Sequence, residues 1–443
     1  MMFSRYFQLE EKRTNVRVEF VAGVTTFLTM AYIIFVNPTI LSAAGMDKQA
    51  LIIVTCLVSA VITVVTGLAA NAPIAMAPGM GLNAFLAYSL VKAGEVTWQT
   101  GLGVVFLSGL LAFVLTLLGL RKRLVEAIPV SLVSAISVGI GLYITFIGLV
   151  DLGVIVNNEE TLVAAGPLTG TVLIGLAGLL LMAFLQIRKI KGALLIGILF
   201  STGLAVIFGY VTKPSQILSS NLDISPVAFQ LDILGALKWS LFGSVFALMF
   251  MDMFDSIGTL VACCHEAGMV DKDGKITGLD RLLAIDAGAS MFGAVLGTSS
   301  IASYIESAAG IEEGGRTGLT ALVTGVCFAI ALLFVPVVGI VPKYAAAPAL
   351  VMVGLFMMKE IKRIDFANLE EALPAFIIMV MIALSYSISR GLAFGFISFV
   401  LMKTISGRAR DVKPTMWIIA VLSVLFLTMD QLADAIDHLR QLI

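Results

Sequence analysis

Long apolar runs separated by short polar connections dominate this sequence. The first run begins at Phe20 and ends near Leu41. Because about 20 helical residues suffice to cross the hydrocarbon core of a bilayer, each such run predicts a membrane span. We number the fourteen predicted spans in chain order: 20–41, 50–70, 73–93, 100–119, 127–149, 169–187, 192–211, 239–262, 279–297, 299–311, 317–341, 345–358, 371–387 and 389–403.

A polar stretch at 212–237 divides these spans into two sets of seven. Because seven is an odd number, two copies of one seven-span unit cross the membrane in opposite directions. The sequence therefore predicts an all-α polytopic membrane protein built from two inverted repeats. A last apolar segment, 415–429, is either a further span or an interfacial piece.

The third span of each half is interrupted. Span 3 contains NAPIAMAPGMGLNAF (71–85), with Pro73 and Pro78, and span 10 contains GTSSIASYIESAAGI (297–311). Proline lacks a backbone donor, and lipid offers no water to replace lost hydrogen bonds. Matched breaks in two halves are typical of transporter binding sites. We expect IAMAP and SSIAS to pair as short strands, each followed by a half-helix. Two unrelated helix kinks are the alternative.

The composition supports a membrane protein and excludes other classes. Of the 443 residues, 59% are hydrophobic and 13% are charged, and the mean hydropathy is +1.04. Soluble domains carry about 25% charged residues, so a soluble enzyme, a secreted disulfide scaffold and a disordered protein are excluded. The net charge of −1 gives no indication of a nucleic-acid partner. The four cysteines and two histidines lack metal-ligand spacing, so we expect no metal site.

Basic residues predict the orientation. With a cytoplasmic N-terminus, the cytoplasmic connections carry 21 Lys and Arg residues and the opposite connections carry 6. This distribution agrees with the positive-inside rule. Residues 1–19 are charged and lack the apolar region of a cleaved signal peptide. We therefore expect a multi-pass protein of the cytoplasmic membrane, and the same rule favours a place near the cytoplasmic leaflet for 415–429.

Spans 8 and 10 contain three acidic residues, and a carboxylate at the centre of a span costs about 2.5–3.5 kcal/mol to insert. Asp252 and Asp255 of span 8 share a predicted helix face with Thr259. Glu306 follows the extended piece of span 10, and Asn83 occupies a similar place in span 3. Carboxylates without a fixed counter-ion suit proton-coupled transport of a neutral solute, with Glu306 and Asp255 as the proton-coupling candidates.

Structural roles are the alternative for these residues. Asn83 is also a residue type that caps helices, and Glu306 has its own helix or Arg316 as potential partners. Asp252 is as well suited to a place behind the site or at its rim as to the site itself. Asp286 in span 9 is a further candidate.

Several motifs resemble those of the AzgA-like branch of the nucleobase–cation symporters: GMGLNAF, MDMFDSIGTLV, GTSSIASYIESAAGIEEGGRTGLTA, TTFLTMAYIIFVNP and AAAPALVMVG. The resemblance extends from about residue 3 to residue 430. It implies a permease that carries purine bases (adenine, guanine or hypoxanthine) with protons across the cytoplasmic membrane. It also implies a core domain, 20–120 with 238–341, and a gate domain, 125–211 with 345–430.

By the same resemblance, Asn83, Asp255 and Glu306 are the substrate-binding residues. The carboxylates would accept hydrogen bonds from ring N–H groups, and Asn83 would support the geometry. Further candidates surround these positions, including aromatic rings that would stack on the base: Gly81, Phe85, Asp252, Phe254, Thr259 and Tyr304. No cofactor is implied, the coupling ion is H+, and a homodimer is expected only by analogy with the family.

Other functions stay open at this stage. A xanthine/uracil permease or an anion exchanger would share the architecture, although two core carboxylates oppose an anion site. An intramembrane aspartyl enzyme would use Asp252 and Asp255, but such pairs usually face each other from different helices. Adenine and guanine/hypoxanthine both remain as expected substrates.

Overall fold

The computed structural model describes residues 5–93, 96–119, 128–212, 216–218, 222–270 and 276–442, except the side chains of Trp239 and of 429–442. A helical segment lies at each of the fourteen predicted spans, so the chain is an all-α polytopic membrane protein with a few short strands. The elements in chain order are α1 (Val16–Met30), α2 (Ile33–Ser42), α3 (Lys48–Ala70), β1 (Met76–Pro78), α4 (Met80–Ala84), a π-helix (Phe85–Lys92), α5 (Trp98–Leu117), α6 (Val130–Leu152), β2 (Ile155–Asn158), β3 (Leu162–Ala165), α7 (Gly170–Ile187), α8 (Ala193–Ile207), α9 (Ile233–Ala236), α10 (Phe242–Glu266), α11 (Leu279–Leu296), β4 (Ile301–Ser303), α12 (Ser307–Glu312), α13 (Gly318–Ala331), α14 (Val335–Gly339), α15 (Lys343–Met357), α16 (Leu369–Leu384), α17 (Ile388–Ile405) and α18 (Pro414–Leu442), with 3-10 turns at Trp239–Leu241, Leu332–Phe334, Met358–Arg363 and Ala409–Asp411.

Nine segments of the described chain are long and apolar enough to cross a membrane, and they correspond to spans 1, 2, 4, 5, 6, 8, 11, 12 and 14. The other five spans deviate for identifiable reasons. Strands interrupt spans 3 and 10, and α8 and α16 contain only 15 and 16 residues. The remaining helix, α11, carries Asp280, Arg281 and Asp286. Length and hydropathy alone therefore detect the long, regular spans but not the short, charged or interrupted ones.

Spans 3 and 10 cross each other where their two short strands pair, as predicted. Strands β1 and β4 pair antiparallel, with Ala77 opposite Ala302. The pairing continues at both ends, where Gly79 N donates to Ser300 O at 2.9 Å and Tyr304 N donates to Ala75 O at 3.0 Å. A half-helix follows each strand, α4 after β1 and α12 after β4. The prediction of two paired strands with half-helices is confirmed.

Side chains of neighbouring helices form hydrogen bonds with further backbone groups of these strands. The Thr63 hydroxyl of α3 contacts both N and O of Met76 at 3.0 Å. The Ser290 hydroxyl of α11 donates to Ile301 O at 3.1 Å. Extended backbone survives within a membrane only where protein supplies such partners. The hydroxyl residues around the crossing therefore stabilise its irregular backbone.

The spans pack as two groups. In the first group, α1 and α3 contact α13, and α5 contacts α11, so spans 1–4 associate with spans 8–11. In the second group, α6 contacts α15 and α16, and α7 contacts α8 and α15. Small residues permit close approach in the first group, because a Cβ atom on Gly67 would lie 2.5 Å from Gly318 O. The strand crossing lies within the first group, where β1 contacts α3 and β4 contacts α10 and α11.

The last apolar segment forms the first half of α18, which packs against α17. Its Phe426 ring fills the space beside Gly243 near the start of α10, and it shares a groove with Ser389 at the start of α17. The segment therefore extends along α17 as far as Ser389, at the start of that helix. This packing favours a further span over an interfacial piece, and the position near the cytoplasmic leaflet stays a prediction.

Candidate functional site

A cavity of about 350 Å³ lies between the two groups of spans, directly against the strand crossing. The first group contributes the break in span 1, the starts of α4 and α12, and one face of α10. The second group contributes α6, α15 and the 3-10 turn that follows α15. The lining residues are Tyr32, 79–82, Val133, Ile136, Ser137, Ile140, Ile144, Met251, Phe254, Asp255, Gly258, Thr259, Ala262, 302–306, Val353, Phe356, Met357, Glu360 and Arg363.

The two walls of the cavity differ in polarity. The wall of the first group carries two carboxylates, Asp255 and Glu306, together with the hydroxyl of Thr259. The wall of the second group is apolar apart from Ser137 and the residues at the mouth. A solute bound here would therefore form its hydrogen bonds mainly with one group of spans and van der Waals contacts with the other.

Glu306 directly precedes α12 and is partly exposed to the cavity. Within the described residues its side chain forms no capping bond to α12. Instead, Tyr32 Oη donates to Glu306 Oε1 at 2.5 Å. Arg316, the other partner considered from the sequence, donates to the carbonyl oxygens of Ile311 and Gly315. The Glu306 carboxylate is therefore held in the cavity as an acceptor rather than used in an ion pair with Arg316.

Asp255 and Asp252 face different directions on α10. Asp255 is exposed to the cavity and interacts electrostatically with Glu306. Asp252 is buried and accepts a hydrogen bond from Ser290 Oγ at 3.2 Å. A separation of three residues turns a side chain by about 60° around the helix, which suffices to direct Asp252 behind the cavity. The predicted shared face therefore applies to Asp255 and Thr259 only, and the two aspartates do not form a facing pair.

Asn83 lies outside the cavity lining. It is fully buried, and its Nδ2 donates to Asn37 Oδ1 at 2.7 Å. Asn37 Nδ2 donates in turn to the hydroxyls of Thr55 at 2.7 Å and Thr298 at 3.1 Å. The N-cap residue of α4 is Gly79, so Asn83 does not cap this helix. Asn83 belongs to a polar network that joins spans 1, 2 and 3 to the segment between α11 and β4, behind the strand crossing.

Two of the three predicted aromatic residues line the cavity. Phe254 and Tyr304 are lining residues, whereas Phe85 is fully buried at the start of the π-helix. The Phe254 ring is held by a stacked contact with Phe250, at 6.2 Å between centroids and 14° between planes. The Tyr304 hydroxyl donates to Pro78 O at 2.6 Å, so this side chain also stabilises the strand crossing. Phe254 and Tyr304 are therefore the predicted aromatics positioned to contact a planar solute.

Gly81 also lies in the cavity lining, on the first turn of α4. A Cβ atom on Gly81 would lie 2.7 Å from Ile140 Cγ2 of α6. The absence of a side chain at this position therefore lets α4 approach α6 closely at the edge of the cavity.

Two buried acids outside the cavity have structural partners. Glu19 is fully buried and accepts hydrogen bonds from Thr320 Oγ1 at 2.5 Å and from the backbone N of Arg316 at 3.0 Å. Asp286 is fully buried and accepts a hydrogen bond from Ser256 Oγ at 2.6 Å. These contacts assign both acids to packing between helices, so Asp286 is not placed in the cavity.

Sequence reasoning missed Tyr32 and Ser137 as lining residues. Tyr32 is a polar side chain in the middle of an otherwise apolar span, and that signal is visible in the sequence TTFLTMAYIIFVNP. Ser137 is one of several hydroxyl residues in span 5, and nothing in its spacing separates it from the others. In the described part of the chain, no cluster of His, Cys, Asp and Glu has the geometry to hold a metal ion.

Residues 17–394 match the Permease family, by the family model Xan_ur_permease. Adenine permease AdeP of Escherichia coli is 43% identical to this chain over 96% of it and 95% of AdeP. Guanine/hypoxanthine permease PbuG of Bacillus subtilis is 38% identical over 95% of this chain and 98% of PbuG.

The fold is also that of a solved membrane domain. The transmembrane domain of the cyanobacterium bicarbonate transporter BicA matches with a TM-score of 0.65 over 86% of this chain and 97% of that domain, at 16% identity. At this identity the likeness concerns the fold alone, which is the core and gate arrangement of a polytopic transporter.

Proposed function

The chain belongs to the Permease family, and we propose that it imports purine nucleobases by proton symport across the cytoplasmic membrane. The family consists of transporters, so the chain is a transporter and not an enzyme. Two relatives carry the names adenine permease and guanine/hypoxanthine permease, which supports a purine as the substrate. The observation that carries the proposal is the pair of carboxylates, Asp255 and Glu306, on one wall of a cavity with apolar surroundings.

We propose that these carboxylates recognise the edge of the base. A purine presents ring N–H donors along its edge, and a carboxylate accepts hydrogen bonds only. Phe254 and Tyr304 supply flat apolar surfaces, and stacking of a base on an aromatic ring contributes roughly 1–3 kcal/mol. Asn83 supports this geometry from behind, through its hydrogen bond with Asn37.

Asp255 and Glu306 are also the proposed proton-coupling groups. Among the described lining residues the basic side chain is Arg363, and its Nε lies 3.2 Å from Glu360 Oε2 at the mouth of the cavity. Two negative carboxylates in one small cavity repel each other unless a proton neutralises one of them. A proton on one carboxylate would remove this repulsion and leave the other as the acceptor for the base, which is the coupling that we propose.

We propose alternating access between a core domain, 20–120 with 238–341, and a gate domain, 125–211 with 345–430. The hydrogen-bonding wall belongs to the core and the apolar wall to the gate, so a base can move with the core while it slides past the gate. Glu360 and Arg363 at the mouth follow α15, on the side predicted to be cytoplasmic. The cavity then faces the cytoplasm, and the N-terminus lies on the same side. A homodimer stays an expectation by analogy.

Purified protein in proteoliposomes tests the transport proposal. With an inward proton gradient, we expect accumulation of radiolabelled adenine or hypoxanthine that a protonophore abolishes and that replacement of sodium leaves unchanged. Liposomes that contain the same amount of the Glu306→Gln variant control for leakage and for adsorption. Full accumulation in protonophore-treated vesicles without any ion gradient would overturn proton symport.

A competition panel tests the substrate class. Unlabelled adenine, guanine, hypoxanthine, xanthine and uracil are added singly to the uptake assay. We expect at least one of the first three bases to compete most strongly. Strongest competition by uracil or xanthine would instead favour the alternative permease specificity.

A further inference from the structure

Span 1 is broken beside the cavity, at a position that the function proposed above does not use. Helix α1 ends at Met30 and α2 begins at Ile33, and Ala31 and Tyr32 form the turn between them. Tyr32 is 1% exposed, yet it belongs to the cavity lining. Its phenol is therefore a rigid group, held by packing on nearly all sides, with its hydroxyl at the cavity.

The turn in span 1 is joined to the start of α12 by one short hydrogen bond, in which Tyr32 Oη donates to Glu306 Oε1 at 2.5 Å. Thr29 Oγ1 lies 3.4 Å from Glu306 O, but it is closer to Thr26 O of its own helix, at 2.8 Å. The bond from Tyr32 therefore holds the side chain of Glu306. The position of the Glu306 carboxylate therefore depends on span 1 as well as on its own span.

We propose that Tyr32 is a positioning residue that holds the Glu306 carboxylate so that Oε2 meets the ring N–H of the base. This inference rests on the proposed function and deepens it. A glutamate side chain rotates about three bonds, and a single bond from a buried phenol to Oε1 removes most of that freedom. With Oε1 committed to Tyr32, Oε2 is the oxygen that reads the substrate. Preorganisation of this kind raises affinity because less ordering remains to be done on binding.

Tyr304 provides a matched comparison in the same cavity. It is also a buried tyrosine of the lining, but its hydroxyl donates to Pro78 O at 2.6 Å and is thereby committed to the strand crossing. Loss of the Tyr304 hydroxyl affects the crossing of spans 3 and 10, whereas loss of the Tyr32 hydroxyl affects Glu306. The two tyrosine-to-phenylalanine changes therefore remove the same atom from two different partners.

The test is a cycle of binding measurements on purified full-length protein. Labelled adenine and hypoxanthine are titrated into the parent, Tyr32→Phe, Glu306→Asp and the double variant. Glu306→Asp keeps the carboxylate but shortens the side chain by one methylene, which takes it away from Tyr32. We expect Tyr32→Phe to weaken binding about tenfold in the parent and less than about twofold in the Glu306→Asp background. Melting temperatures of the ligand-free proteins confirm that all variants are folded.

Tyr304→Phe in both backgrounds is the control, and we expect it to weaken binding by the same factor in each. An equal effect of Tyr32→Phe in the two backgrounds would overturn the inference, because Tyr32 would then act independently of Glu306. No effect of Tyr32→Phe in the parent would overturn it as well. If the parent binds none of the five bases of the competition panel, the proposed function itself fails, and the assignment of Tyr32 fails with it.

Discussion

Span 3 and span 10 pair as antiparallel strands at Ala77 and Ala302, yet they present different groups to the cavity. Span 3 contributes two glycines, a methionine and a leucine, at residues 79–82. Span 10 contributes Tyr304 and Glu306, with a hydroxyl from Ser303 nearby. The two broken spans thus repeat the backbone geometry, while span 10 carries the carboxylate that we propose as an acceptor for the solute.

The offset of the half-helix explains this difference. Helix α4 begins immediately after Gly79, so Asn83 lies more than one turn inside the helix and faces the polar network behind it. Three residues separate the end of β4 from the start of α12, and the last of them, Glu306, is the N-cap residue of that helix. Asn83 and Glu306 are therefore not equivalent positions, although each follows the strand of its own span.

Removal of the span 10 carboxylate should have the largest effect. We expect Glu306→Gln to reduce uptake roughly a hundredfold, because an amide replaces a charged acceptor and cannot carry the coupled proton. Uptake in proteoliposomes, normalised to inserted protein, measures the loss. Glu313→Gln is the matched control, because Glu313 follows the same half-helix but pairs with Lys191 away from the cavity. Equal losses in both variants would contradict the special role of Glu306.

Substitutions of the two aspartates of α10 should distinguish direct contact with the solute from structural support of span 10. We expect Asp255→Asn to reduce uptake at least about tenfold with little change in melting temperature. Asp252→Asn should affect uptake less, because Asp252 faces Ser290, which in turn bonds to Ile301 O of β4. Uptake and thermal unfolding measured on the same preparations distinguish these outcomes. A larger transport defect in Asp252→Asn would reverse the assignment.

A side chain at Gly81 tests whether span 3 acts through its shape alone. We expect Gly81→Val to weaken binding about tenfold and Gly81→Ala to weaken it less, because the added atoms meet Ile140 and narrow the cavity. Gly288→Ala controls for loss of a helical glycine, since a Cβ atom there meets no other atom within 4 Å. Equilibrium binding of labelled base measures the series. Equal affinity in Gly81→Val and the parent would contradict a role in shaping the cavity.

The sequence predicts the spans and the strand crossing well, because both follow from hydropathy and from proline and glycine in apolar runs. It also identifies Asp255 and Glu306, since an acid in an apolar span is rare. It does not decide which side of α10 faces the cavity, so the place of Asp252, behind the site or within it, stays open until the structure is known. The sequence does not predict the β2–β3 hairpin, because its four-residue strands lie in a polar connection between spans. The role of Tyr32 depends on its hydrogen bond with Glu306, which lies 274 residues away along the chain. Local sequence spacing does not reveal such a contact.

We expect substitution of Asn83 to have the smallest effect on substrate choice. Asn83 of span 3 faces away from the cavity, whereas Glu306 of span 10 lines it. Asn83 donates to Asn37 and is fully buried outside the cavity lining, so its amide is a link between spans 1 and 3. Serine at this position retains a donor but is too short to reach Asn37 in the same way. Loss of one buried hydrogen bond costs about 0.5–1.5 kcal/mol, and more if a partner is left unsatisfied. We therefore expect Asn83→Ser to lower the melting temperature by a few degrees.

The inhibition constants of adenine, guanine and hypoxanthine decide between support and direct contact. If Asn83 acts behind the strand crossing, Asn83→Ser changes all three constants by a similar small factor, because the cavity loosens without loss of a contact to the base. If the amide contacts the base, the constant of one purine changes by roughly tenfold relative to the others, since each purine presents a different edge. Asn37→Ser is the companion variant: it removes the same hydrogen bond from span 1 and should reproduce the effect of Asn83→Ser. If Asn83→Ser weakens the binding of one purine selectively and Asn37→Ser does not, span 3 takes a direct part in recognition. The two broken spans would then both contact the base, in addition to sharing one backbone geometry.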